Sequence, residues 1–202
     1  MSAHTVPMFY DDLTASYGEA WRLLVRGVND RRSAFHTPAV ATVDPAGYPK
    51  VRTVVLRGAD PSDGSLRFHT DKRASKVTDI AGQPKVSLHF YEKKAKIQLR
   101  LSGFATCHVD GPVKEAAWAA SQDMSRECYR VDRGPGSIVS AANEWSIPHD
   151  VDDPDMGKDN FVAVSIAVQS IEWLYLARGG HRRARFHVGP QGTLAQGEWL
   201  VP

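Results

Sequence analysis

Hydrophobic residues keep a helical period at the start of the chain and a strand period through most of its remainder. Leu13, Tyr17, Ala20, Trp21, Leu24 and Val28 recur at helical spacing, which predicts an amphipathic helix covering one side of a sheet. β-Branched runs at 39–43 and 50–57 flank Asp44-Pro45-Ala46-Gly47, where proline suits the second position of a type I turn and glycine its end, so the two predict a hairpin. Residues 66–70 read as a strand entered from the Ser62-Asp63-Gly64 turn, and 71–81 as a short helix ending near Gly82 and Pro84. Two further strands are expected at 86–91 and 95–107. The second alternates Ile97, Leu99 and Leu101 with Gln98, Arg100 and Ser102, the period of a sheet with unlike faces.

Beyond Pro112 the reading turns helical at 113–122 and 124–129, until Arg133-Gly134-Pro135-Gly136 breaks the pattern. Five aspartates with proline and glycine make 149–159 an exposed loop. Strand character returns at 161–176, with Trp173 and Tyr175 on one face, and a last strand is expected at 182–188. Strands in succession with helices interposed, rather than strict β-α-β alternation, predict an α+β protein built on an antiparallel barrel with flanking helices. With 202 residues and 42% hydrophobic content, a single domain over residues 1–202 is expected.

Composition narrows the functional classes. Twenty-five basic residues against 23 acidic give a formal charge of +2, too balanced for bulk nucleic-acid binding. Cys107 and Cys128 are far apart, in neither metal-ligand nor redox spacing; both read as ordinary buried thiols, and no metal site is expected. Residues 1–10 lack a basic start followed by an apolar run, and no stretch approaches the roughly 18 apolar residues of a membrane span, so a cytoplasmic protein without a membrane partner is expected.

The candidate chemistry lies where a strand ends and a helix begins, at Thr70-Asp71-Lys72-Arg73-Ala74-Ser75-Lys76. A helix start offers unpaired N–H groups and the positive end of the macrodipole, and a hydroxyl with Lys76 and Arg73 would suit a phosphate. On spacing alone the stretch reads more readily as a solvated basic helix start. The run Val51-Arg52-Thr53-Val54-Val55-Leu56-Arg57-Gly58 together with Phe68-His69-Thr70, Ser75-Lys76, residues 83–90 and residues 98–103 resembles the pyridoxamine 5′-phosphate oxidase family. Several motifs in order, at matching separations, are more specific than any one of them.

The resemblance implies a split barrel, an FMN cofactor, redox chemistry on a small molecule and a homodimer whose interface completes each site. It implies that Arg52 and Lys76 clamp the FMN phosphate with Ser75 beside them, and that Thr53, Val54, Val55 and Thr70 line the ribityl chain and ring. Gln98 would hydrogen-bond the cofactor, Arg185 would contact the flavin, and Tyr175 stands where the family usually has tryptophan. For substrate, Arg57 replaces the family's lysine, and His181 and Arg183 reverse its arginine–x–histidine pair. Arginine and histidine differ in fork geometry and titration, so these departures suggest a broader FMN-binding subgroup rather than the true oxidase. Two other readings stand beside it: the same barrel holding a deazaflavin or haem, or a non-catalytic protein that binds flavin or pyridoxal phosphate. The sequence singles out no catalytic acid or base.

Overall fold

A computed structural model describes residues 7–149 and 152–202; the expected acidic loop at 149–159 therefore lies partly outside the described residues. Helix α1 (Leu13–Asn29) starts where the Asp12 carboxylate accepts the Ala15 N–H at 2.8 Å, and it buries Tyr17, Ala20, Trp21 and Leu24 as the periodicity predicts. The Tyr17 hydroxyl donates to the Gly192 carbonyl at 2.7 Å, fastening the helix to the distant end of the chain.

Among the described residues, nine antiparallel strands make one sheet: β1 (Ala39–Val43), β2 (Pro49–Thr53), β3 (Leu56–Asp60), β4 (Ser65–Asp71), β5 (Lys85–Glu92), β6 (Ile97–His108), β7 (Phe161–Tyr175), β8 (Arg182–Val188) and β9 (Leu194–Leu200). Their order is β2-β1-β5-β6-β7-β4-β3, with β8 on β7 and β9 on β8. Strand β7 sets the architecture. One of its edges runs with β6 along almost the whole length; the other pairs with β4 from Phe161 to Ala167 and then with β8 from Ser170 to Tyr175. The sheet divides at that exchange of partners, and the result is an antiparallel split barrel of the α+β class. Helix α2 (Ser75–Gly82) lies between β4 and β5, while α3 (Gly111–Ala119) and the single turn α4 (Asp123–Arg126) come after β6.

Inward residues from α1 and every strand from β1 to β8 except β2 form the main core, with Trp173, Phe35, Phe68, Phe90 and Phe186 fully enclosed. A smaller cluster, Ala117, Trp118, Tyr129, Phe161 and Ala163, seats α3 against the outside of β7. No helix among the described residues is long and apolar enough to cross a membrane.

Several boundaries differ from the sequence reading. The expected strand at 50–57 breaks at Val54–Val55 into β2 and β3, which pair with β1 and β4 respectively. Asp71 closes β4 rather than opening a helix, and α2 begins at Ser75. Strand β8 leads into β9, which the sequence reading lacks; its partly and fully exposed residues give no apolar alternation. Cys128 is exposed rather than buried, whereas Cys107 is half-buried.

The β6–β7 register shifts between Ser102 and Gly103, where the strands approach so closely that a Cβ on Gly103 would collide with the Ala167 carbonyl oxygen. Gly103→Ala should therefore lower stability by about 1–3 kcal/mol through overpacking. The shift in urea midpoint at unchanged m-value measures it; an unchanged midpoint would show that the strands separate freely there.

Candidate functional site

Charged and hydroxyl side chains gather where β1, β2, β4 and α2 meet. Thr42, on β1, buries its side chain towards α2, and its hydroxyl donates to Asp79 Oδ2 at 2.6 Å. Arg52, on β2, donates to the Thr42 hydroxyl at 2.6 Å and stands 3.4 Å from the same Asp79 oxygen. Asp79 is 4% exposed, so it fixes the guanidinium rather than dissolving the pair in solvent. Almost one turn earlier on α2, the Lys76 ammonium donates to the Thr70 hydroxyl at 3.0 Å and meets no carboxylate within ion-pairing distance among the described residues. Burial, and then the neighbouring Arg52, push the Lys76 pKa below the usual lysine value.

Ser75 opens α2 on the surface, and Ala74 at its N-cap supplies no side-chain acceptor for the first amides. A half-buried ammonium without a carboxylate partner among the described residues, a carboxylate-held guanidinium, a hydroxyl and the start of a helix make a donor set that fits a doubly charged phosphate group. Val54 and Val55 continue the same segment; the Val54 N–H is already donated to the Pro38 carbonyl at 2.9 Å, whereas Thr53 is exposed beside Ala39.

The remaining expected residues fall elsewhere. Gln98, Arg183 and Arg185 share the outward face of the sheet, as the register pairs Gln98 with Leu174, Leu174 with Arg183, and Glu172 with Arg185. Glu172 is the hub of that face: it accepts hydrogen bonds from Arg183 at 2.8 Å and from Arg100, and lies 3.6 Å from Arg185, which also reaches Glu198 at 3.2 Å. Burial works against the Glu172 charge, yet Arg183 and Arg100 hold the carboxyl below its usual range. Tyr175 is turned the other way and packs edge-on against Phe9 and Tyr10. His181 is exposed at the entrance to β8 near Asp11 and Trp199, while Arg57 donates to the Ser125 hydroxyl at 3.4 Å. One chain thus brings together Arg52, Thr70, Ser75 and Lys76, but not Arg57 with His181 and Arg183.

Sequence reasoning missed a cleft of about 400 Å³ beside the end of β4, lined by Asp71, Cys128, Arg133, Ser137 and Trp145 among others. Arg73, a phosphate donor on the sequence reading, builds this cleft instead: it pairs with Asp71 at 2.7 Å and donates to the Val131 carbonyl at 3.0 Å, tethering the loop after α4. The Arg133-Gly134-Pro135-Gly136 run marks a break in the pattern but carries no sign that it folds back to β4.

Fold and donor set together describe a split-barrel protein with a cationic cluster at the foot of α2. Residues 19–109 match the family model described as pyridoxamine 5′-phosphate oxidase, FMN-binding domain. Pyridoxine/pyridoxamine 5′-phosphate oxidase of Bradyrhizobium sp. strain BTAi1 is 36% identical over 100 residues, covering 44% of this chain and 45% of that protein. The enzyme of the same name from Bradyrhizobium diazoefficiens is 32% identical over 139 residues, covering 61% and 64%. The chain thus spans roughly half to two thirds of the length of these curated relatives. Across the whole fold, a pyridoxamine 5′-phosphate oxidase-related, FMN-binding protein from Nostoc punctiforme superposes with a TM-score of 0.70 at 24% identity, covering 98% of this chain and all of the other. PhzG from Burkholderia lata, solved with tetrahydrophenazine-1-carboxylic acid, gives 0.71 at 17% identity with full coverage of both chains. Over residues 19–109, just under half of the chain, the similarity is to the pyridoxamine 5′-phosphate oxidase FMN-binding domain, and over the whole chain it is to the fold of its structural neighbours.

His69, between Thr70 and Arg67 on β4, supplies a pH test. Burial, then Arg67 and Arg57, lower its pKa to about 3 from the ordinary histidine value of 6.5. It stays neutral in the fold while the unfolded chain takes up a proton, so stability falls as pH drops from about 6.5 towards 3, with a slope of up to about 1.4 kcal/mol per pH unit. Relative to the parent, His69→Phe should flatten urea-measured stability across that window; identical slopes would mean that His69 protonates equally easily in both states.

Proposed function

We propose that this protein binds FMN, holds its phosphate between Arg52 and Lys76, and acts as an FMN-dependent oxidoreductase on a small molecule. The observation that carries the reading is the Lys76 ammonium, half-buried beside Arg52 and without a carboxylate of its own. A phosphate dianion would satisfy both cations, and Asp79 would keep Arg52 aimed without neutralising Lys76. Ser75 and the first amides of α2 would take remaining phosphate oxygens. Bound flavin would supply the electron and hydride chemistry; the chain's own residues would bind, orient and exclude water. The cleft lined by Arg133 and Ser137, next to Asp71 at the end of the strand that carries Thr70, is the space in which a small substrate would lie.

The proposal includes a homodimer. Gln98, Arg183 and Arg185 face outward, while Arg52 reaches inward to Asp79, so a flavin held by both sets requires a second copy. The outward face also exposes Val51, Tyr91 and Phe104, apolar residues that a partner would cover.

The first test is the visible spectrum of the purified protein and titration of its apo form with FMN. Flavin bands and one FMN per subunit are expected. A protein that takes up a deazaflavin or haem but refuses FMN would overturn the cofactor, and one that binds FMN without ever being reduced would overturn the enzymatic part. Lys76→Ala and Arg52→Ala should each weaken FMN by on the order of 1.5–3 kcal/mol, with little effect on riboflavin, which lacks the phosphate. Phe104→Glu should convert a dimer to monomer in sedimentation analysis and weaken FMN at the same time; a monomeric parent protein that binds FMN tightly would refute the shared site.

A further inference from the structure

The segment 131–147, which walls the cleft beside β4, is held to the rest of the chain at one point. Every residue from Val131 to Pro148 is exposed or only partly buried, so burial in the core does not anchor it. The segment closes on itself instead: the Asp132 N–H donates to the Ser146 carbonyl at 3.2 Å, and the Ser146 N–H returns to the Asp132 carboxylate at 3.1 Å, which joins the two ends of an Ω loop. Among the described residues, its hydrogen bonds to the body of the protein come from Arg73, whose two terminal nitrogens each donate to the Val131 carbonyl at 3.0 Å. Packing marks the same point, since a Cβ on Gly134 would stand 3.0 Å from Arg73 Cβ.

Arg73 is itself aimed by Asp71. Asp71 is 6% exposed and spends both carboxylate oxygens on Arg73, accepting its backbone N–H at 2.8 Å, Nε at 3.0 Å and Nη2 at 2.7 Å. Asp71 also follows Thr70, whose hydroxyl accepts the Lys76 ammonium. Burial first and then Arg52 lower the Lys76 pKa, whereas the charges of Asp71 and Asp79 oppose them. Asp79 is occupied by Thr42 and Arg52. Asp71 is thus the carboxylate that Arg73 keeps from Lys76, and the same guanidinium holds the loop.

We infer that Arg73, aimed by Asp71, is a positioning residue that couples the Arg52–Lys76 cluster to the cleft, so that a phosphate group bound at Lys76 and the docked loop 132–146 stabilise one another. The inference rests on the FMN reading for the identity of that phosphate. The coupling follows from charge. When the loop swings away, the guanidinium loses its carbonyl acceptors and its hold on Asp71 loosens; the released carboxylate competes with the phosphate for Lys76 and repels it. A phosphate at Lys76 disfavours that state and so favours the loop in place. Linkage makes the effect reciprocal: the docked loop tightens phosphate binding by the same factor by which bound phosphate favours docking. A cleft built this way gains its outer wall only once the cofactor is seated, so the small molecule enters second.

The test is hydrogen exchange of residues 131–147, read by mass spectrometry from milliseconds upward, together with FMN and riboflavin titrations of the same proteins. The set is the parent, Arg73→Met, Gly134→Val, and Arg73→Met combined with Asp71→Asn. In the parent, FMN is expected to slow exchange in the loop by roughly fivefold or more, the lower end of ordinary coupling between sites, and riboflavin, which lacks the phosphate, to slow it little. Both single variants should exchange faster without ligand, lose the response to FMN and bind FMN roughly fivefold or more weakly, with riboflavin unchanged. Gly134→Val displaces the loop while keeping both charges, so it remains informative even if Arg73→Met fails to fold. The double variant should recover FMN affinity while its loop stays fast, because the competing carboxylate is gone and the tether is not restored. A loop that still responds to FMN in Arg73→Met, equal losses for FMN and riboflavin, or a double variant that binds no better than the single one would each overturn the coupling. If the parent takes up no FMN, the cofactor reading falls and the ligand-free proteins decide the tether: faster exchange in the variants upholds it, and parent-like exchange overturns it.

Discussion

The exchange of partners along one edge of β7 is the constraint on which this molecule depends. A single strand of 15 residues serves two half-sheets, pairing with β4 up to Ala167 and with β8 from Ser170 onward, while β6 lines its other edge almost throughout. The close approach at Gly103 keeps that shared spine in register. Because β4 ends beside the start of β7, Thr70 and Asp71 are delivered to the foot of α2; because β8 joins further along, Arg183 and Arg185 are delivered to the outward face. The two sets of candidate ligands are kept apart by the same hydrogen-bond ladder that holds the barrel.

Charge is distributed with similar economy. On the outward face, Glu172 gathers three arginines and balances part of their repulsion. At the foot of α2, Asp79 anchors only Arg52, and Lys76 is left with a neutral hydroxyl. Leaving a cation desolvated costs stability, since burial favours its neutral form and its neighbour repels it. Such sites are where folds depart from their own best packing in favour of a ligand.

Much of the barrel is legible in the sequence. The alternation from Ile97 to Ser102 appears as strand β6 with unlike faces, and the spacing in α1 predicts its buried residues, because one-sided burial imposes the period directly. The break between β2 and β3 is not legible: β-branched residues continue across Val54 and Val55, and a period of two says nothing about which neighbour a strand pairs with. Strand β9 escapes because exposure along an edge imposes no apolar pattern. Of the candidate site, Arg52, Thr70, Ser75 and Lys76 form one group through ordered motifs, and the structure does bring them together. The positions of Tyr175, Arg57 and His181 depend on bulges, strand ends and long-range packing, which local sequence does not record.

The two hydrophobic clusters differ greatly in size, and the tether from Arg73 to Val131 joins the segment over the smaller one to the barrel. Among the described residues, the segment after α4 contributes Tyr129 to that minor cluster and nothing to the main core, so its sequence can drift at little cost to the spine. This division makes the molecule modular in an evolutionary sense: the Arg52–Lys76 cluster is tied to the strands that fold the chain, whereas the cleft wall from Val131 to Ile147 can be redrawn without refolding the protein beneath it.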